Sequence, residues 1–268
     1  MEWALRQALL HVALAGCFCV ATIYMGVFQD VFVQVGYECY AEAPVASLPA
    51  FLTMPFNSLI NVAYMLLGWH WLRRDGGPLR CSAEAPRARY LQAVFAAMAL
   101  LYGPVQWLRI GTQAHPAAVL DQWLTLPIFA WLVVWCLYLD KGWKPWLFFA
   151  TECLSLSSYG LALLHPWGFE VALGVHILVA VVQALQAQAR SGNATTRAYL
   201  ILGFLSCLGF VVLKLWDHQL AQWRLFQRLT GHFWSKVCDV LQFHFAFLFL
   251  TTLNRHQSFP AEEKKRKL

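Results

Sequence analysis

The sequence predicts an all-α, polytopic bundle of about eight transmembrane helices, with one N-terminal helix followed by a seven-helix core. Of its 268 residues, 59% are hydrophobic and only 13% are charged. Soluble domains carry about 45–50% apolar and about 25% charged residues. The apolar residues also fall in blocks of roughly 20, the length that a helix needs to cross about 30 Å of hydrocarbon. We therefore expect a single integral-membrane domain over residues 1–268.

The predicted spans divide this domain into three parts. Residues 1–47 hold the first span and an exoplasmic loop, residues 48–252 hold the seven-helix core, and residues 253–268 form a basic cytosolic tail. The first apolar run is long for a signal peptide, which favours a retained helix. Only 165–168 separate the fifth and sixth spans, so a re-entrant pair and a count of seven spans stay open. Hydropathy places the spans at 8–28, 48–72, 90–109, 117–139, 145–164, 169–188, 198–216 and 231–252.

Lysine and arginine are distributed unevenly over the loops, and this asymmetry sets the orientation. Fifteen of the 20 fall on the face that holds both termini, here called the basic face, and four fall on the opposite face. Both termini are therefore predicted to be cytosolic. The net charge of +6 then reflects topology, and nucleic-acid binding is not expected. The basic run 264–267 either anchors the last helix at anionic lipid or acts as a degenerate dilysine signal, which predicts Golgi or endoplasmic reticulum membranes.

The second span carries a polar stripe. Asn57, Asn61 and Tyr64 fall within about 60° of one helical face, and Gly68 continues the stripe. A glycine at that position allows close approach of a neighbouring helix. The stripe predicts either hydrogen bonds between helices or part of a functional site.

The third and fourth spans carry ionisable groups near the opposite face. Gln106 and Arg109 lie one turn apart near the end of the third span, and Asp121 lies near the start of the fourth. Arg109 is a candidate counter-ion for Asp121 across the short loop between them. Alternatively, Asp121 complements the positive end of its own helix.

The last span holds the densest set of polar groups, which project within an arc of about 120°. A metal ion could be held here by His232, Asp217 and Asp239. The favoured alternative is a structural network in which Asp239 pairs with Lys236. The residues on the arc are His232, Ser235, Lys236, Asp239 and Gln242.

Four sequence strings resemble the transmembrane protein 187 family, over nearly the whole chain. They are YAEAPV at 40–45, MPFNSL at 54–59, LDQWLTLP at 120–127 and GHFWSKVCD at 231–239. This resemblance implies a multi-pass vertebrate membrane protein and implies no particular activity.

A more distant resemblance links the seven-helix core to the alkaline ceramidase and adiponectin-receptor superfamily of membrane lipid hydrolases. It rests on FNS at 56–58 with Asn61, LDQ at 120–122, WD at 216–217 and FW at 233–234. That superfamily holds zinc with three histidines. The corresponding positions here are about Gln106, Gly231 and Ser235, so the histidine ligands are replaced.

Three functions remain open. The favoured one is a non-catalytic protein that accommodates a lipid or sterol, or acts by contact with a protein partner not specified by the sequence. No cofactor is expected in that case. The second is an intramembrane amide or ester hydrolase, in which zinc is held by a displaced set including His232, Asp217 and Asp239, with Ser235 and Asp121 as candidate catalytic groups. The third is a transporter or channel.

Overall fold

The helical character predicted from hydropathy is confirmed by the computed structural model, which describes residues 2–74 and 85–266, with side chains through Arg255. Within those residues every regular element is helical and no strand occurs. Arg80, Cys81 and the side chains of the basic run 264–267 lie outside the described part. The helices are α1 (Glu2–Tyr24), α2 (Pro55–Arg73), α3 (Ala85–Thr112), α4 (His115–Lys141), α5 (Pro145–Ser158), α6 (Leu161–Leu164), α7 (Gly168–Ser191), α8 (Ala194–Leu215), α9 (Asp217–Leu220) and α10 (Gly231–Arg266).

Seven helical segments of the described chain are long and apolar enough to cross a membrane. They include α5 and α6 as one unit, Pro145–Leu164, and the first part of α10, Gly231–Arg255. The predicted second span, α2, is not among them, because its polar stripe lowers its hydropathy. It nevertheless packs along both α3 and α10 in the bundle. α10 continues beyond residue 252, where hydropathy had placed the end of the last span.

The core forms around α4, because its neighbours cover it on several sides. In its most apolar stretch 78% of the residues are buried, against 11% for α8. Trp131 and Trp135 are almost entirely buried. The helix α1 packs against α3 and α4, and α7 also packs mainly on α4.

Glycines set the distance between α2 and α3. A Cβ atom added to Gly68 would lie 2.6 Å from the backbone oxygen of Ala96, and one added to Gly103 would lie 2.7 Å from that of Asn61. Only a residue without a side chain fits such distances. The close approach predicted for Gly68 is therefore confirmed, and it brings the polar stripe of α2 against its neighbours.

Candidate functional site

The carboxylate of Glu42 caps the start of α2 from the loop that precedes it. Its two oxygens accept the backbone N–H groups of Phe56 at 2.9 Å and Asn57 at 2.8 Å. These N–H groups belong to the first turn, where the helix itself supplies no acceptor. Burial raises the pKa of Glu42, and the two N–H donors and the positive charge of Lys236 oppose that rise. By capping α2, the Glu42 carboxylate fixes the loop against the bundle.

Asp217 makes the corresponding contact at the start of α10. One oxygen accepts the backbone N–H of Ala41 at 2.9 Å, and the other accepts that of His232 at 2.7 Å. Asp217 is buried. The ring of Tyr40 also meets the His232 ring edge-on, with centroids 4.8 Å apart. The loop between α1 and α2 is thereby joined to α10 as well as to α2.

Below these caps, two side chains of α10 reach across to the polar stripe of α2. Lys236 Nζ donates to Asn61 Oδ1 at 3.1 Å. Asp239 Oδ2 accepts the Tyr64 hydroxyl at 2.7 Å. The predicted direct pair between Lys236 and Asp239 is not what the structure shows, because each side chain takes its partner from α2. All four residues are buried, so these contacts join α2 to α10 inside the bundle.

Two further predicted residues lie beside this network. Asn57 is fully buried, and neither atom of its side-chain amide has a hydrogen-bond partner within the described structure. Gln106 of α3 is also buried and lies against the Tyr64 hydroxyl. The polar stripe of α2 therefore faces both α3 and α10.

Arg109 and Asp121 form the ion pair that the sequence suggested. Arg109 Nη1 donates to Asp121 Oδ2 at 2.6 Å, and Arg109 Nη2 donates to the backbone oxygen of Gln34 at 3.1 Å. The second oxygen of Asp121 is buried without a partner among the described residues. The pair ties α3, α4 and the first loop together near the opposite face.

The structure does not gather the candidate metal ligands. His232 offers Asp217 its backbone N–H, whereas Asp239 lies about two turns further along α10 and contacts Tyr64. Ser235 Oγ donates to the backbone oxygen of His232 at 2.7 Å, so that hydroxyl is engaged within its own helix. Among the side chains that the structure describes, those of residues 2–74 and 86–255, no group of three from His, Cys, Asp or Glu is arranged to hold a metal ion.

Sequence reasoning missed a second polar cluster nearer the basic face. His11 of α1 contacts the Tyr90 hydroxyl through Nδ1 and Glu152 Oε1 through Nε2, each at 2.6 Å. Beside it on α5, Ser155 Oγ lies 2.9 Å from His176 Nε2. Ionisable residues inside predicted spans were the available signal. Their pairing was hidden because the partners are far apart in sequence.

A crevice lies between the α4–α7 pair and the α8–α10 pair. α7 packs mainly on α4 and α8 mainly on α10, so the two pairs separate. Ala184, Gly203 and Ala246 line the gap and keep it open because they are small. Its volume is about 70 Å³, and it is partly open to the outside of the bundle. Of the described residues that line it, Gln242 is the one with a side-chain amide.

At the basic face this crevice adjoins a polar pocket, here called the basic-end pocket. Cys136 lines both spaces, so the two are neighbours. Gln183 and Arg190 of α7 and Asp140 of α4 line the basic-end pocket, and Arg190 forms an ion pair with Asp140. An apolar space inside the bundle thus ends at polar and charged groups.

The comparisons with known proteins agree with this membrane architecture. The model of the TMEM187 protein family matches residues 8–251, which run from α1 into α10. The chain belongs to the TMEM187 protein family. It is 72% identical over 252 residues to transmembrane protein 187 of Bos taurus, covering 92% of this chain and 97% of that protein. It is 68% identical over 258 residues to transmembrane protein 187 of Homo sapiens, covering 96% of each.

Membership of the TMEM187 family establishes a multi-pass membrane protein. The match includes every residue of the polar network and of the crevice, because all of them lie between residues 8 and 251. No solved structure matches the chain.

Proposed function

We propose that this protein is a non-catalytic membrane protein that accommodates a lipid in the crevice between the α4–α7 and α8–α10 pairs. The crevice itself is the observation that carries the proposal. It is a slot of about 70 Å³ that is partly open, so an occupant lies along it with part of its surface outside the slot. Its walls are overwhelmingly apolar, so the occupant is the apolar part of a lipid.

The polar network supports a non-catalytic role, because its groups are used to hold helices together. Glu42 and Asp217 bind backbone N–H groups, and Ser235 binds a backbone oxygen. Tyr64 and Asn61 take Asp239 and Lys236 as partners. A buried hydroxyl or carboxylate engaged in this way fixes helix positions, and a rigid scaffold keeps the crevice open.

We propose that the distant resemblance to the ceramidase and adiponectin-receptor superfamily reflects a shared helical scaffold. The polar residues that carry it, Asn57, Asn61, Asp121 and Asp217, all lie within the bundle or at its opposite-face end. A displaced zinc site for hydrolysis remains the alternative proposal, tested below by metal content. We propose residence in Golgi or endoplasmic reticulum membranes from the basic run 264–267, and cytosolic termini from the uneven distribution of lysine and arginine.

Retention of lipid by the purified protein tests the proposed function. Native mass spectrometry of the full chain, released from detergent, should show a bound lipid mass. Ala184→Phe fills the crevice and should lose that mass, whereas Gly174→Phe, whose position has no heavy atom within 4 Å, should keep it. Absence of bound lipid, or equal retention by both variants, would overturn the proposal.

A further inference from the structure

Gln242 places an unpaired amide oxygen at the middle depth of the bundle. It lies 11 residues from the start and 13 from the end of the spanning segment Gly231–Arg255, or about 16–20 Å from either end at about 1.5 Å per residue. The residue is only 9% exposed, and its Oε1 has no hydrogen-bond partner. An unpaired amide is costly in an apolar environment. Such a group is explained when a ligand supplies the missing hydrogen bond.

The crevice is therefore polar at both of its ends. Gln242 lines the deep end together with Ile177 and Cys207, and the basic-end pocket adjoins the end near the basic face. On α10 the two ends are marked by Gln242 and Leu253, which are separated by about 16 Å along the helix axis. This separation is close to the thickness of one leaflet, about 15 Å of hydrocarbon. A ligand that satisfies both ends carries a polar group at each end.

The walls between these ends indicate a rigid ligand without charge. None of the described residues that line the crevice is charged, so an ionised group placed against Gln242 would lack a counter-ion. Small residues such as Ala180 and Gly203 leave a slot, and the rings of Phe204 and Phe249 also line it. A rigid ring system loses less conformational freedom in such a slot than a flexible chain does.

We propose that the crevice binds a sterol hydroxylated on its side chain, an inference that rests on the proposed function. The ring hydroxyl lies in the basic-end pocket, within reach of Gln183 or the Arg190–Asp140 pair. The side-chain hydroxyl donates to the Gln242 amide oxygen or accepts from its nitrogen, since rotation of the terminal amide presents either atom. The sterol body lies along the apolar slot between them, with the rest of its surface on the open side.

Competition between two sterols tests this assignment. The probe is radiolabelled side-chain-hydroxylated cholesterol, bound to the purified full chain and displaced either by the same sterol or by cholesterol. The two competitors share the ring system and the ring hydroxyl, and they differ in the side-chain hydroxyl. We expect about a tenfold preference for the hydroxylated sterol, the value of roughly one hydrogen bond.

The variant Gln242→Leu should abolish that preference and retain binding of cholesterol. The matched control Gln7→Leu changes an exposed glutamine of α1 and should keep the preference. Because the amide oxygen has no partner without ligand, Gln242→Leu should unfold at no lower temperature than the unliganded wild type. A large loss of stability would show instead that Gln242 serves the fold.

Two outcomes separate this inference from the proposed function. If neither sterol binds while native mass spectrometry still shows a lipid that Ala184→Phe loses, the sterol assignment is overturned and lipid accommodation stands. If no lipid is retained at all, the sterol assignment and the proposed lipid accommodation are both overturned. Equal displacement by the two sterols, or a preference that survives Gln242→Leu, overturns the role of Gln242.

Discussion

The Asp217 carboxylate accepts the backbone N–H of His232 at 2.7 Å, and this contact ties the start of α10 to the segment that follows α8. The same carboxylate accepts the N–H of Ala41 with its second oxygen. One buried side chain therefore positions a loop and the helix that carries Lys236, Asp239 and Gln242.

Removing the Asp217 carboxylate should lower stability. Asp217→Ala leaves two partly buried N–H groups without acceptors, which predicts a loss of about 1–3 kcal/mol in the free energy of unfolding. Asp217→Asn keeps one acceptor oxygen, so its stability should lie between that of the wild type and that of Asp217→Ala. Thermal unfolding in detergent measures the effect, with His218→Ala at the exposed neighbouring position as control. If Asp217→Ala unfolds at the same temperature as His218→Ala, the Asp217 carboxylate does not contribute to stability.

Two glycine substitutions should change stability in different directions. Gly68→Ala places a Cβ atom 2.6 Å from the Ala96 oxygen, so α2 and α3 must separate, at about 1–3 kcal/mol. Gly174→Ala meets no heavy atom within 4 Å and should cause no loss, because alanine is the better helix former. Thermal unfolding of both variants checks the pair. Equal effects would mean that the α2–α3 contact tolerates expansion.

Features that repeat along one helix could be predicted from the sequence. The period of the α2 stripe placed Asn57, Asn61 and Tyr64 on one face, and the structure buries all three. The Arg109–Asp121 pair could also be anticipated, because a short turn joins the ends of the two helices. Both inferences needed only local geometry.

Features that depend on which helices become neighbours could not be predicted. The arc on α10 placed Lys236 and Asp239 on one face but gave no information about the opposing residues, which proved to be Asn61 and Tyr64. The crevice depends on the separation of two helix pairs, and hydropathy carries no signal for such a gap. For this reason the sequence predicted Gln242 only as one more member of the polar arc.

The charge distribution predicts that the C-terminus is cytosolic. An epitope tag placed after Leu268 should be reached by antibody only when the plasma membrane is permeabilised, and it should remain accessible on the outside of sealed organelles. The fifteen-to-four asymmetry of basic residues is the physical reason. A tag protected inside intact organelles would require the opposite orientation.

The basic run near the C-terminus should retain the protein in internal membranes if it acts as a retrieval signal. Replacing the four basic residues 264–267 by alanine should increase the fraction labelled by a membrane-impermeant reagent at the cell surface. Replacing the exposed residues Lys141 and Arg197 by alanine instead removes basic charge from the same face but leaves the tail intact. A signal in the tail predicts no surface increase for that control, whereas an increase for both would indicate a general charge effect.

The contact between Tyr64 and Asp239 separates the structural network from the displaced metal site. A hydrogen bond of 2.7 Å across α2 and α10 predicts that Tyr64→Phe and Asp239→Ala each lower stability, and that their double variant loses about 1–2 kcal/mol less than the sum. Because Lys236 takes Asn61 as its partner, Lys236→Met combined with Asp239→Ala should deviate less from additivity.

Zinc content should be measured on the same purified proteins. A structural network gives coupling between Tyr64 and Asp239 and no stoichiometric zinc, whereas stoichiometric zinc in the wild type that Asp239→Ala removes would establish the metal site. The two measurements together distinguish helix positioning from metal ligation at one carboxylate.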